Sequence, residues 1–295
     1  RVNAPGRAER LAPDVVFPPV GRDPLSSVEN IPAPAAEPAG PAASLAYRTP
    51  EIYDVATGWR LDLEIEFLER IFTRHAVVVQ SVLEPCCGTA RLLRALAEQG
   101  YEVAGYDLSP AMTAFARERL RSVGGEVWLG EMSAFQPPRV FDAAINLVNS
   151  IGYLLEDEAV AGHLERMGGA VRPGGIYVAQ FSYGGEPPER ARFGPWGNRG
   201  GDLSTTLLWE VLREDEGARR SYQHCRITAR RGKERHVIDE EHVLRYWTHE
   251  DVTRFLAESP FTLDAIYWDN FEEFPLEDYR VGEHGNLYHV LRRKD

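Results

Sequence analysis

The sequence predicts an α/β fold: a doubly wound, Rossmann-like sheet that is mostly parallel, with an antiparallel closing strand. Apolar runs of strand length alternate with amphipathic helical segments from residue 78 to residue 181, which is typical of successive βα units. Later runs with strand character are separated by hairpin-length turns, which indicates an antiparallel β insertion. The chain has 295 residues, 43% of them hydrophobic, enough for one large globular domain.

The first elements follow from periodicity and from helix-end signals. A helix is predicted where apolar residues fall on one stripe, at Leu61, Ile65, Leu68 and Phe72. A strand over residues 78–84 and a helix over 91–99 come next. The following strand, residues 102–108, leads into Ser109 as N-cap and Pro110 at the first helical position. These segments form two consecutive βα units.

The remaining elements continue the same alternation before it changes. Three strands are predicted at 126–132, 141–147 and 175–181, and a helix at 159–171 lies between the last two. The antiparallel runs are 205–212, 220–230 and 236–247. Thr248 then caps a helix, and strands at 262–268 and 287–292 close the sheet.

The composition divides the chain at about residue 47. Residues 1–46 hold nine of the twenty prolines and ten alanines, which predicts a poorly ordered or extended tail. Docking of part of this tail on a neighbouring subunit, and so a homo-oligomer, is the alternative. Residues 47–295 are predicted to form the folded domain, with 203–247 as its antiparallel insertion.

Charge and cysteine content restrict the partners and the location. Asp plus Glu outnumber Lys plus Arg by 45 to 33, a net charge of -12, which disfavours a nucleic-acid partner. No apolar window is long enough for a membrane span, and the first residues lack the apolar stretch of a signal peptide, so neither a membrane span nor classical secretion is expected. Cys86, Cys87 and Cys225 provide neither a disulfide framework nor spaced metal ligands. A cytoplasmic protein without a metal is therefore expected.

The most informative segment is the turn after the first strand. The strand ends at Glu84, and Gly88 lies in a turn where small residues allow a ligand to approach the backbone. The next helix offers its N-terminal N–H groups there. Asp107 ends the second strand, where a carboxylate can accept hydrogen bonds from both hydroxyls of a ribose. These residues indicate a nucleoside site.

Residues 83–90, Leu-Glu-Pro-Cys-Cys-Gly-Thr-Ala, resemble the first motif of class I S-adenosylmethionine-dependent methyltransferases of the small-molecule type. The usual motif is Leu-Glu-x-Gly-Cys-Gly-Thr-Gly, and two of its glycines are Cys86 and Ala90 here. Further matches follow in the family's order, at 105–112, 130–132, 141–153 and 172–175. The resemblance is strong over 47–182 and limited to general layout over 205–292.

The resemblance implies S-adenosylmethionine as cofactor and assigns residues to it. Glu84 and the Cys86–Gly88 turn would hold the amino-acid end, and Asp107 the ribose hydroxyls. The other assignments are Leu108 and Met112 beside the adenine, Glu131 and Met132 at its polar edge, Asn146 near the methionine moiety, and Tyr53 in a lid.

A small-molecule acceptor, methylated on N or O, is expected above the strand ends under the 203–247 insertion. Asn149, Tyr153 and Tyr183 are the predicted acceptor-binding residues. Methyl transfer depends mainly on alignment and desolvation, so no catalytic residue is assigned. The histidines on the insertion that could act as a base are His224, His236 and His242, and none is chosen.

Two other functions stay open at this point. A nicotinamide-dependent oxidoreductase would need Gly-x-Gly-x-x-Gly, whereas these positions are Cys86, Gly88 and Arg91. A non-catalytic nucleoside-binding or scaffold protein, with the proline-rich tail as its working part, would keep the same motifs. Methylation of nucleic-acid amino groups is disfavoured because no Asn-Pro-Pro-Tyr follows Asn146.

Overall fold

The computed structural model describes residues 40–75, 78–184, 192–276 and 285–295. The α-helices are α1 (Leu45–Arg48), α2 (Pro50–Ala56), α3 (Leu61–His75), α4 (Arg91–Glu98), α5 (Pro110–Leu120), α6 (Asp157–Ala170) and α7 (His249–Glu258). The strands of the first half are β1 (Ser81–Pro85), β2 (Glu102–Asp107), β3 (Glu126–Leu129), β4 (Phe141–Asn146) and β5 (Val171–Tyr183). Those of the second half are β6 (Arg192–Gly200), β7 (Leu203–Asp215), β8 (Arg220–Arg231), β9 (Glu234–Arg245), β10 (Phe261–Trp268), β11 (Glu273–Phe274) and β12 (Gly285–Arg293).

Among the described residues, the larger sheet has eight strands in the order β11-β10-β12-β5-β4-β1-β2-β3. Strands β1 to β5 pair in parallel, and β12 lies antiparallel to β5. All of β1 is buried and β4 nearly so, as expected for strands covered on both faces by helices. The α/β sheet with an antiparallel closing strand is therefore confirmed.

The smaller sheet is antiparallel and has four strands, β6-β7-β8-β9. Three of them correspond to the predicted insertion, but β6 precedes its expected start at residue 203. The segment that forms β6 contains Gly194, Pro195 and Gly197, and such residues usually indicate a connection. An edge strand tolerates them because one of its sides needs no ladder hydrogen bonds.

The predicted tail comprises residues 1–46. Its residues 1–39 lie outside the described residues. Its last part is ordered: residues 41–43 form a 3-10 turn and α1 begins at Leu45. Ser44 caps α1 and Ala46 is buried. Helical structure therefore begins before the expected boundary at residue 47.

Apolar side chains pack in three clusters. Two cover the two faces of the larger sheet. The third joins Ala46 and Ala56 to Leu207, Cys225 and Ile227 of the smaller sheet. Helices α1 and α2, residues 45–56, therefore lie on one face of the smaller sheet, and we call them the lid.

Side chains cap the starts of α5 and α7. The Ser109 side chain accepts a hydrogen bond from the Met112 N–H, and the Thr248 side chain accepts one from the Asp251 N–H. Both predicted N-caps are confirmed, and each satisfies a backbone donor that the helix leaves free. Within the described ranges, no helix is both long and apolar enough to cross a membrane.

Candidate active site

The turn after β1 has an unusual backbone. Cys86, Gly88 and Ala90 all have positive φ, at 55°, 52° and 58°, a conformation that costs energy for residues with a side chain. The Cys87 N–H holds the turn against β2 by donating to the Tyr106 carbonyl at 3.1 Å. A Cβ added at Gly88 would meet no atom within 4 Å. The backbone of the turn is therefore open to a ligand.

Asp107 connects this turn with the start of α5. Its Oδ2 accepts from the Gly88 N–H at 2.9 Å, and its Oδ1 accepts from the Ser109 N–H at 2.8 Å. Burial raises the pKa of Asp107, and these two backbone hydrogen bonds oppose the rise. Each carboxylate oxygen has a second lone pair. The carboxylate is thus positioned to accept hydrogen bonds from a diol.

Two buried polar atoms lie at the ends of the neighbouring strands β1 and β4. Glu84 Oε2 and Asn146 Oδ1 have no hydrogen-bond partner among the described residues. Burial raises the pKa of Glu84, while the charge of Arg91 lowers it. Unsatisfied buried acceptors are rare in native proteins, so this pair suits an ammonium donor from a ligand. The residues present therefore fit the amino-acid end of S-adenosylmethionine.

The predicted adenine residues lie in different environments. Leu108 is 37% exposed at the strand-end edge. Glu131 Oε2 accepts from the N–H of Ser133 at 3.0 Å, and Met132 Sδ lies 3.6 Å from Cys86 Sγ. Met112 is 1% exposed, and a side chain this buried offers no surface to a ligand. We therefore leave Met112 out of the proposed cofactor site.

His163 supports the Met132 segment and is missing from the sequence prediction. Its Nδ1 donates to the Met132 carbonyl at 3.1 Å, and its Nε2 accepts from the Tyr177 hydroxyl at 2.7 Å. Burial lowers the pKa of His163 to about 4. The histidine shares a helical stripe with Val160 and Leu164, and that position would have identified it as buried.

The neutral His163 makes stability depend on pH. Below pH 6.5 the unfolded histidine gains a proton, whereas the folded one stays neutral down to its pKa of about 4. Stability is therefore lost as pH falls, by about 1.4 kcal/mol at pH 5.5 from this group alone. We expect the stability advantage of wild type over His163→Gln to shrink by that amount between pH 7.5 and 5.5 in urea unfolding. An advantage independent of pH would contradict the assignment.

The lid is attached to the cofactor turn through α2. Asp54 accepts from the Thr89 hydroxyl at 2.7 Å and from Arg119 Nη1 at 2.6 Å. Tyr53 packs edge-on against Tyr47, with ring centroids 5.4 Å apart, and burial raises its pKa. Tyr53 therefore lies in the lid helix, as the resemblance implies, and its neighbour Asp54 makes the polar attachment.

Tyr153 belongs to a group of rings between the lid and the smaller sheet. Its hydroxyl lies 2.5 Å from the Tyr47 hydroxyl and 2.8 Å from His242 Nδ1. Trp209 stacks on His242 with ring centroids 5.0 Å apart. We call Tyr47, Tyr53, Tyr153, Trp209 and His242 the aromatic cluster. The cluster places the Tyr153 hydroxyl, which forms hydrogen bonds, beside several aromatic ring faces.

The other histidine candidates lie elsewhere. His224 Nε2 is 2.7 Å from Asp239 Oδ1, and its Nδ1 is 3.3 Å from a Glu210 carboxylate oxygen. His236 is largely exposed near Glu234. Of the three histidines considered from the sequence, His242 is the one in the aromatic cluster.

Asn149 and Tyr183 have structural contacts in place of an open surface. Asn149 Oδ1 accepts from the Ser182 N–H at 3.3 Å, which ties the loop after β4 to β5. Tyr183 is buried, its hydroxyl lies 2.9 Å from His289 Nε2, and the two rings stack. These contacts indicate that Asn149 positions the loop and that Tyr183 packs within the sheet. Of the three predicted acceptor residues, we retain Tyr153.

Known proteins that are similar to this chain are methyltransferases. Residues 82–175 match the family model described as a methyltransferase domain. A dTDP-3-amino-3,6-dideoxy-alpha-D-glucopyranose N,N-dimethyltransferase of Streptomyces fradiae is 28% identical over 231 residues, covering 77% of this chain and 89% of the relative.

Two solved structures have the same fold. A sugar N-methyltransferase from a Streptoalloteichus species has a TM-score of 0.65 at 22% identity, covering 90% of this chain and 100% of that one. An amino pentose methyltransferase from Micromonospora echinaspora, solved with S-adenosylmethionine bound, has a TM-score of 0.64 at 20% identity, covering 82% and 95%.

The matched family model, the fold and the strand-end residues define one class of enzyme. The chain is a class I S-adenosylmethionine-dependent methyltransferase. The resemblance drawn from residues 83–90 is thereby confirmed, and with it the cofactor class. Of the three functions considered from the sequence, it is the enzymatic methyl transfer that stands.

Proposed function

We propose that the protein methylates the amino group of a small molecule, specifically an amino sugar. The aromatic cluster is the observation that carries this proposal. Its π faces and the nearby Glu240 carboxylate attract the positive charge that develops on an amine nitrogen as it is methylated. The Streptomyces fradiae relative acts on an amino sugar by name, and so does the Micromonospora structure. N-methylation is therefore favoured over O-methylation.

The cofactor residues are part of the same proposal. Bound S-adenosylmethionine supplies an electrophilic methyl group on a sulfonium. Glu84 and Asn146 would accept from its ammonium, the Cys86–Gly88 turn would contact its methionine portion, and Asp107 would accept from its ribose hydroxyls. Leu108, Glu131 and the Met132 backbone would border the adenine, as the resemblance implies. Their role is to align and desolvate the reacting atoms.

The domain arrangement supports a covered acceptor site. The lid packs on the smaller sheet and is hydrogen-bonded to the cofactor turn, so both partners of the reaction would meet beneath it. The methyltransferase domain would then comprise the described residues from Pro41 onwards, with the antiparallel insertion covering the acceptor. A small-molecule acceptor, and no nucleic acid, is the partner that this arrangement and the net charge of -12 favour.

The experiment has a binding stage and a transfer stage. Calorimetry with S-adenosylmethionine, S-adenosylhomocysteine and NAD should show binding of the first two and none of NAD. Labelled methyl transfer should then occur to a dTDP-3-amino sugar and not to the same sugar nucleotide with a 3-hydroxyl. Transfer to the hydroxyl compound with no transfer to the amine would overturn the proposed amine specificity.

A further inference from the structure

We propose that Tyr153 and His242 accept the proton that the acceptor amine must lose, with Tyr153 contacting the amine and His242 taking the proton behind it. This inference rests on the proposed N-methylation. An amine that gains a methyl group becomes an ammonium, and a nearby acceptor for its proton favours a neutral product. The aromatic cluster provides such an acceptor at one end of a hydrogen-bonded chain.

Glu240 determines the direction of this chain. It accepts hydrogen bonds from the Ser44 hydroxyl at 2.6 Å and from the Leu45 N–H at 2.7 Å. Partial burial acts to raise its pKa, but contacts from His242, Ser44 and the start of α1 outweigh it and lower the pKa to about 2. Glu240 is therefore a carboxylate at neutral pH.

The ionised Glu240 favours one tautomer of His242. Glu240 Oε1 lies 3.3 Å from His242 Nε2, at a geometry short of a full hydrogen bond. A negative charge at this distance favours a proton on Nε2. The Nδ1 lone pair then accepts from the Tyr153 hydroxyl, 2.8 Å away. The Tyr153 oxygen already accepts from the Tyr47 hydroxyl, and its second lone pair is left for the amine.

Tyr153 cannot act as a base alone. Burial raises its pKa well above 10, although a hydrogen bond from Tyr47 opposes the rise. The phenol can accept a proton only while it passes its own proton on. In the proposed step the amine lone pair forms the C–N bond, and the C–S electron pair stays on sulfur. The N–H proton moves to the Tyr153 oxygen as the Tyr153 proton moves to His242 Nδ1.

The surroundings of His242 stabilise the resulting imidazolium. The groups that face it are Tyr153 from the loop after β4, Tyr47 from the lid, Trp209 from β7, Gln223 across the ladder on β8, and Glu240 on β9. Trp209 presents its ring face to the imidazole, and a cation over such a face is attracted to it. Glu240 compensates the charge from the opposite nitrogen.

Two substitutions test the relay. His242→Asn keeps an acceptor near the place of Nδ1 but cannot take up a proton, and Tyr153→Phe removes the hydroxyl. We expect each to lower kcat for the amino sugar by about 100-fold or more, with calorimetric affinity for S-adenosylmethionine unchanged. The matched control is His224→Asn on β8, which should keep wild-type kcat.

Raising the pH should distinguish proton acceptance from mere positioning. If His242 takes the proton, kcat of His242→Asn should recover as hydroxide and buffer base replace it, so its pH profile becomes steeper than that of wild type. A uniform loss of kcat at every pH would overturn proton acceptance by His242.

The protein alone gives a second measurement. Nitrogen-15 NMR of the imidazole groups should show that the neutral form of His242 carries its proton on Nε2, and the Nδ1 signal should shift in Tyr153→Phe. A proton on Nδ1 would overturn the inference. If the wild-type protein methylates amines and both variants keep its full kcat, the relay is overturned and the proposed function stands. If the protein methylates hydroxyls and not amines, the proposed function is overturned as well.

Discussion

Replacing Asp107 by alanine is expected to weaken S-adenosylmethionine binding by about 100-fold while the protein stays folded. Its carboxylate is held by the N–H groups of Gly88 and Ser109 and would accept from two ribose hydroxyls. Hydrogen bonds to a charged group contribute about 1.5 kcal/mol or more each, and two of them correspond to roughly 100-fold in affinity. Titration calorimetry measures the change directly.

Asp107→Asn is the matched control because it keeps the shape of the side chain and removes its charge. It keeps one acceptor oxygen, so we expect an affinity between those of wild type and the alanine variant. Circular dichroism and thermal unfolding of both variants would establish that the fold remains. Wild-type affinity in a folded Asp107→Ala protein would show that the cofactor does not bind at the end of β2.

Removing the positive charge of Arg91 is expected to lower the free energy of unfolding by about 3–5 kcal/mol. Arg91 and Glu64 form a two-pronged ion pair between α4 and α3, with one N–O distance of 3.0 Å. Their side chains are 14% and 6% exposed. Arg91→Met would leave the Glu64 carboxylate buried without its partner, and it would also remove the charge that lowers the pKa of Glu84.

Denaturant unfolding of a second variant distinguishes the effect of losing the ion pair from the effect of losing side-chain packing. Glu64→Leu combined with Arg91→Met removes both charges and should recover most of the lost stability, because no buried charge is left unpaired. Arg121→Met breaks the Arg121–Glu118 pair, whose side chains are 77% and 66% exposed, and should have no measurable effect. A fully stable Arg91→Met protein would contradict this account.

The cofactor side of the proposed site can be predicted from the sequence because its signals are local. A strand and a turn of small residues lead directly into the helix that begins at Arg91, and strand order brings Asp107 beside the turn. The N-caps Ser109 and Thr248 are equally local, since each side chain accepts from the N–H three residues ahead. At these two N-caps, the residue type in the sequence is one that the local backbone conformation favours.

The acceptor side could not be predicted in the same way. Tyr47, Tyr153 and His242 are far apart in sequence and meet only because the lid and the smaller sheet pack together. Periodicity does not show which aromatic side chain can contact an acceptor. It therefore does not distinguish Tyr183, which packs against His289, from an acceptor-binding residue. The β6 strand was missed because its glycines and proline resemble a connection.

The double attachment of the lid bears on how many methyl groups one encounter can deliver. Asp54 ties the lid to Thr89 beside the cofactor turn, while Tyr47 on the same short segment contacts Tyr153 beside the proposed acceptor. Exchange of spent cofactor would need the lid to leave Thr89, and that movement would also withdraw Tyr47 from Tyr153. If the proposed amine acceptor takes a second methyl group, we therefore expect the monomethylated amine to be released and to accumulate before the dimethylated product forms.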